Sequence, residues 1–171
     1  MYVSYQLDFG SYDSRHGFQI VDNDNEQILW TEWVVDGYIL VGTTRDIYKI
    51  YSTFAEDSNG VISISIQGMG LTQPPISSAV IKWGTFIVYL SSEGWKYIAG
   101  SVVENFSQQL DLLYRGFSRQ GLNALQTPVG NIPVYSCAQS HNHLYASVVD
   151  TAGNNVLHIY NFNKKTWVKM Y

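Results

Sequence analysis

Charged residues are scarce in this chain: 14% of its 171 residues are Asp, Glu, Lys or Arg, against about 25% in an average soluble domain. The ten Lys and Arg are scattered apart from the pair Lys164 and Lys165, and the net charge is −4. Without a basic patch the chain cannot neutralise a run of phosphates, so we expect no stable nucleic-acid binding. Hydrophobic residues make up 46% of the chain, which excludes intrinsic disorder.

Cysteine occurs once, at Cys137, which excludes an internal disulfide and any zinc site built from two or four cysteines of one chain. We interpret Cys137 as a small, buried, apolar residue. No apolar run approaches the roughly 18 residues of a membrane span. The first residues, 1–5, lack the charged and apolar regions of a signal peptide. The sequence therefore predicts a soluble protein made in the cytoplasm, without membrane insertion.

The sequence also lacks the motifs of common catalytic sites. It has no Gly-x-Ser-x-Gly elbow, no Walker loop and no dinucleotide-binding fingerprint. A sialidase would need three arginines converging on a carboxylate, and two of the four arginines, Arg115 and Arg119, follow a predicted helix. We predict no enzyme activity, no catalytic residue and no cofactor.

Two stretches could supply metal ligands. Residues 22–26 space oxygens like the start of a calcium loop, but Gln27 stands where glycine is needed. His141 and His143 could point to one face of a strand, yet no third ligand is adjacent. His158 alternates with apolar neighbours and is interpreted as a surface or cross-strand polar residue. We favour a solvated loop and a turn for these stretches, and predict no metal site.

Aromatic residues, in contrast, are abundant: 13 Tyr, 5 Trp and 7 Phe make up 15% of the chain. Such a bias is typical of β-strands, where rings pack across neighbouring strands. The tryptophans could stack on sugar rings, as in lectins, but filling the core between sheets is the favoured interpretation. The composition and length predict one all-β domain over residues 1–171.

Hydrophobic segments separated by short turns predict antiparallel meanders of four strands, each the size of a β-propeller blade. A partial unit precedes the blade-like units, and the predicted bounds are 1–27, 28–68, 76–126 and 133–171. Asp36 and Gly37 predict a two-residue hairpin with positive φ at the glycine. The predicted fold is a propeller or partial propeller.

One helical pattern interrupts these strands. Apolar residues recur at three- and four-residue steps over residues 102–114, with Ser101 as a plausible N-cap and Gly116 near the end. We predict one inserted amphipathic helix within unit 76–126. Its opposite face carries Glu104 and Asp111 but no lysine cluster, which argues against a membrane surface.

A family resemblance rests on four consecutive features. Residues 76–80 (ISSAV) form a Ser-Val strand and Gly84 a turn, residues 86–91 (FIVYLS) end on Leu-Ser, and residues 93–95 (EGW) form an acidic turn. This order resembles a blade of phage tail structural proteins. The chain from residue 28 to 171 is similar to the propeller of the nozzle, or packaged-DNA stabilisation, proteins of short-tailed phages. Glu93 stands where the family has aspartate, and the chain is far shorter than a nozzle protein.

The resemblance implies a structural virion protein, in the tail (nozzle or tail tube) or at the head-to-tail attachment, made in the host cytoplasm. Such a protein assembles into a ring with copies of itself and with other virion proteins. Because unpaired sheet edges need cover, we expect the helix region to build or border a contact between copies. The candidate interface residues are Val103, Phe106, Leu110, Leu113 and Phe117. The alternative is a carbohydrate- or receptor-binding β domain.

Overall fold

The computed structural model describes residues 20, 25–34, 36–56, 58, 62–110, 113 and 136–170. These residues form three four-stranded antiparallel sheets, so the predicted all-β class is confirmed. Within each sheet the strands pair in chain order, which makes each sheet a meander. The predicted partial unit over residues 1–27 lies outside the described residues except for residues 20 and 25–27.

Each sheet matches one of the predicted blade-like units. The first sheet consists of β1 (Ile28–Val34), β2 (Tyr38–Thr43), β3 (Ile47–Glu56) and β4 (Ile62–Gly68). The second consists of β5 (Pro75–Trp83), β6 (Phe86–Ser91), β7 (Gly94–Ala99) and β8 (Val102–Asn105). The third consists of β9 (Ser136–Ser140), β10 (His143–Val149), β11 (Asn155–Asn161) and β12 (Thr166–Met170).

The predicted inserted helix is wrong where the structure describes it. Its first turn is instead strand β8, which pairs with β7 and completes the second sheet. Ser101, the expected N-cap, lies with Gly100 in the two-residue hairpin before β8, and Gly100 has φ +62°. Two adjacent β-branched residues at the start of β8 favour a strand. Beyond β8 residues 108–110 form a turn, and among the described residues of the predicted helix Leu113 alone has a helical backbone.

The turn at Asp36 and Gly37 has the predicted positive φ at the glycine, but its loop is one residue longer than predicted. Gly37 has φ +85°, and its N–H donates to the carbonyl of Val34 at 3.0 Å. Val34 pairs directly with Tyr38, so three residues separate the strands instead of two. The positive φ at the last loop position explains why glycine stands there.

The second sheet lies between the other two and is covered on both faces. On one face Ile87 and Tyr89 pack with the first sheet around Trp30 and Leu40. On the other face Val88, Leu90 and Trp95 pack with the third sheet. Strand β6 therefore reads as a continuous apolar run because both of its faces are buried.

The first strands of the three sheets lie side by side. Strand β5 contacts β1 on one side and β9 on the other. The sheets thus pack face to face along a row that begins with β1, continues through β5 and ends with β9.

A buried side-chain oxygen recurs at one position of all three sheets. In each case it lies where the second strand ends, is completely buried, and accepts the N–H of the residue two positions later in the hairpin. The three residues are Thr43, Ser91 and Asp150. Because a buried polar side chain needs a hydrogen-bond partner, each of these residues is held against the N–H of its hairpin, and the contact fixes the turn that joins the second strand to the third. The three sheets therefore share the same hydrogen-bonded turn after their second strand.

Candidate functional site

The predicted interface residues pack inside their own chain. Leu113 is 2% exposed in the core between the second and third sheets, and Phe106 and Leu110 pack against that core. Val103 packs instead with the core shared by the first and second sheets. These four side chains therefore divide between two cores. Phe117 lies outside the described residues.

Local turns bring this segment back onto the sheets. Ser107 is fully buried, and its hydroxyl accepts the N–H of Trp95 at 2.8 Å. The N–H of Leu110 then donates to the backbone carbonyl of Ser107 at 2.7 Å, and the N–H of Leu113 donates to the backbone carbonyl of Leu110 at 2.9 Å. The segment belongs to the core of the subunit. The oligomer contact stays a prediction, and aspartate at either leucine would damage this core first.

The most concentrated group of aromatic side chains lies between the second and third sheets. We call it the aromatic cluster. Most of its rings are half-buried, and each contacts at least one other ring at a centroid distance of 3.9 to 6.1 Å. Its members are Trp83, Phe86, Tyr97, Phe106, Tyr160, Phe162 and Trp167.

Rings of the aromatic cluster stack on one another's faces. Trp83 stacks on Phe162 with centroids 3.9 Å apart and planes 11° apart, and it stacks on Phe86 at 5.5 Å. Phe106 and Trp167 are nearly parallel at 5.8 Å. A sugar would need an open ring face, whereas these faces already contact aromatic neighbours. The cluster is organised as packing between sheets.

One polar contact borders this cluster. The hydroxyl of Tyr97 donates a short hydrogen bond to the carboxylate of Glu104. That hydrogen bond, with a smaller effect of burial, raises the pKa of Tyr97 to about 12. The hydroxyl therefore stays protonated throughout the physiological range and acts as a donor.

Two tryptophans from different sheets lie fully within the cores. Trp95 is 0% exposed and Trp30 is 6% exposed. The Trp30 indole lies against the backbone of Gly42 and contacts the Tyr89 ring at 6.1 Å. Its Nε1 is buried without a hydrogen-bond partner among the described residues. The core-filling interpretation therefore holds for Trp30 and Trp95, whereas Trp33 is 49% exposed.

The residues weighed as metal ligands serve the local fold. His141 lies exposed in the β9–β10 turn, and its Nδ1 is 3.2 Å from the hydroxyl of Ser140. His143 Nε2 is 2.9 Å from the side-chain amide of Asn161. His158 is 1% exposed and lies opposite Ala146 of β10, so the surface alternative is wrong and the cross-strand one is confirmed. The described residues contain no group of three or more His, Cys, Asp or Glu side chains placed to hold a metal.

Of the acidic residues in the stretch 22–26, which was weighed as a calcium loop, the structure describes Glu26. Its carboxylate accepts hydrogen bonds from the hydroxyls of Thr43 and Tyr48. Burial, together with the charge of Glu26, raises the pKa of Tyr48. Asp46 similarly accepts the backbone N–H groups of Gly70 and Leu71 at 2.8 and 3.0 Å. Both acids connect the first sheet to the chain segments beside it.

Two further side chains combine reactive chemistry with burial. Lys49 is 5% exposed, and its Nζ donates to the hydroxyl of Ser101 at 2.9 Å and lies 5.4 Å from the ring centroid of Tyr38. Burial lowers the pKa of Lys49. Cys137 packs against the core between the second and third sheets, and burial raises its pKa to about 11. A protonated, half-buried thiol is a poor nucleophile, in line with its structural interpretation.

Apolar side chains at sheet edges were not identified from the sequence as surface features. Val102 on β8 and Val168 on β12 are each 55% exposed, and Ile66 on β4 is 37% exposed. All three belong to the last strand of their sheet. The sequence feature that could have indicated an exposed apolar edge strand is the uncharged alternation of isoleucine and serine in β4.

A search with models of known protein families finds no match to this chain, and a comparison with curated proteins finds no significant relative. Among the residues that the structure describes, no helix has the length and apolar character to cross a bilayer.

Proposed function

We propose that this chain is a structural protein of a bacteriophage virion, in the tail or at the head-to-tail attachment, and that it acts by assembly. The observation that carries the proposal is the arrangement of the sheets. Three meanders pack face to face with first strands β1, β5 and β9 adjacent. Propeller blades place their first strands around an axis in this way, so the arrangement supports a partial propeller.

The repeated hairpin oxygen supports the same proposal. Thr43, Ser91 and Asp150 occupy equivalent places in the three sheets and are all fully buried. Ser91 also belongs to the segment that resembles a blade of phage tail proteins. The resemblance therefore falls on a feature that recurs throughout the described fold.

Size and charge indicate how such a protein would act. Three described sheets fall short of the roughly four to eight blades of a closed propeller. Contacts with further copies and with other virion proteins would cover edges that a closed ring hides. A net charge of −4 also gives the wall of a conduit little attraction for passing DNA.

Two measurements on the full chain test the proposal. Light scattering and negative-stain images of the purified protein should show a ring-like assembly. Mass spectrometry should find the chain in purified particles from cells in which the phage genome that encodes it is replicating. A compact monomer at high concentration, together with absence from those particles, would contradict the proposal.

The second candidate function is a carbohydrate- or receptor-binding domain, for which the aromatic cluster would be the contact surface. Its half-buried rings offer edges at the surface, although stacking covers many ring faces. A glycan array with the purified chain distinguishes the two functions. Sugar binding that is lost in Trp83→Ala but kept in Trp33→Ala, a tryptophan outside the cluster, would favour the lectin.

A further inference from the structure

Strand β4 is an open edge of the first sheet. It pairs with β3 and with no other strand that the structure describes. Ser65, Ile66, Gln67 and Gly68 are all exposed, and Ile66 retains 37% of its accessible surface. The outer N–H and C=O groups of an edge strand are available to a further strand.

The two other sheets end on edges that are better protected. Strand β8 has four residues and contains the exposed Glu104, and strand β12 has five residues. Short length and charge are the usual means by which proteins prevent pairing at an edge. Strand β4 has seven residues, with neither charge nor proline. It is therefore the outermost strand best suited to take a partner.

We propose that β4 pairs with β4 of a second copy of this chain, in antiparallel orientation, to form a continuous eight-stranded sheet. In a pairing centred on Ser65, Ile64 of one copy lies opposite Ile66 of the other. Ser65 then faces its own counterpart. The same strand thus serves as both partners, as a two-fold interface requires.

A row of apolar residues across the first sheet supports a second copy of the chain as the partner of β4. Trp33, Ile39, Ile50 and Ile66 are paired in succession across β1, β2, β3 and β4. An added β4 would place another isoleucine beside Ile66 and extend the row. Cross-strand pairs of β-branched residues stabilise such sheets. Because β4 is uncharged, the acidic net charge of each copy adds no direct repulsion at the contact.

This pairing is independent of the virion role. It requires two copies of the chain and no other virion protein, and it adds a contact outside residues 103–117.

Sedimentation equilibrium of the full chain tests the pairing with two lysine variants. Ser65→Lys places like charges opposite each other at the centre of the contact and should weaken association about tenfold. The matched control is Val168→Lys, on the exposed edge β12, which should associate like the native chain. A monomeric native chain at all concentrations, or equal weakening by both lysines, would overturn the proposal.

Cross-linking gives a second measurement that does not depend on how Ser65→Lys folds. Ser65→Cys with a short bis-maleimide should yield a covalent dimer, whereas Val102→Cys on edge β8 and the native chain, with Cys137 alone, should not. Absence of the Ser65→Cys dimer would overturn the pairing even if the chain is found in phage particles. A dimer formed by a chain that never enters particles would uphold the pairing and contradict the virion role.

Discussion

Replacing Gly42 with alanine should destabilise the core between the first and second sheets. A Cβ at this position would lie 2.1 Å from Cε2 of Trp30, 2.4 Å from Cζ2 and 2.6 Å from Cδ2. Carbon atoms in contact are normally about 3.5–4.0 Å apart. The indole or the strand must therefore retreat by more than about 1 Å. Gly42 has no positive φ, so the expected effect is a steric one.

The structure allows two ways to relieve that clash. The indole lies against Tyr89, which is 0% exposed, so the ring has no space behind it. Shifting the packed strands costs about 1–3 kcal/mol in typical overpacked cores. Expelling the indole would cost about 3–5 kcal/mol, as a large-to-small substitution does. We expect Gly42→Ala to lower the free energy of unfolding by about 3 kcal/mol, or roughly 6–12 °C in Tm.

Urea denaturation followed by circular dichroism measures this cost in a double-mutant cycle. Trp30→Ala removes the clashing ring, so Gly42→Ala should cost almost nothing in that background. Additive costs of the two substitutions, or a cost of Gly42→Ala below about 0.5 kcal/mol, would refute the steric argument.

Four further expectations concern single features. Gly37→Val should cost about 1–3 kcal/mol through its positive φ, because nothing lies within 4 Å of the added Cβ, and Gly37→Asn should cost less in the same thermal melt. Asp150→Ala removes a buried acceptor that holds the N–H groups of Ala152 and Asn154 and should lower Tm by several degrees, which an unchanged melt would contradict. Tyr97 has a folded pKa of about 12 against 10.0 unfolded, so its contribution to stability is complete below pH 10 and is lost as pH rises to about 12. Tyr97→Phe should flatten that loss, measured by Tm against pH. EDTA should leave Tm unchanged in scanning fluorimetry, and a drop of several degrees would reveal a metal site.

Local pattern was sufficient for most strands. The predicted segment at residues 86–91 matches β6, because a continuous apolar run is bounded there by turn residues. Gly37 likewise had its φ sign predicted from the residue type. These features depend on neighbours within a few positions of the chain.

The prediction of a helix was wrong because apolar residues of a strand and of the segment after it follow one another at helical spacing. Val103 belongs to a strand, whereas Phe106 and Leu110 belong to the irregular segment and turn after it, and together they imitate helical spacing. The pairing of β8 with β7 decides the conformation, and a local pattern does not contain that contact. The surface alternative for His158 was wrong for a similar reason: alternation gives two faces, but only the packing shows that the buried face carries His158 with Val156 and Tyr160, while Leu157 and Ile159 are half-buried.

The distribution of polar groups suggests where assembly contacts should lie. The side-chain oxygens of Thr43, Ser91 and Asp150 accept hydrogen bonds within their own sheets. Residues 106–110 fold onto the core of their own chain. The features left for a partner are the strand edges. Of the last strands, β4 combines length, exposure and absence of charge, whereas β8 is short and carries Glu104 and β12 is short. A subunit built in this way can stay soluble through its net charge and still present one defined edge to another copy.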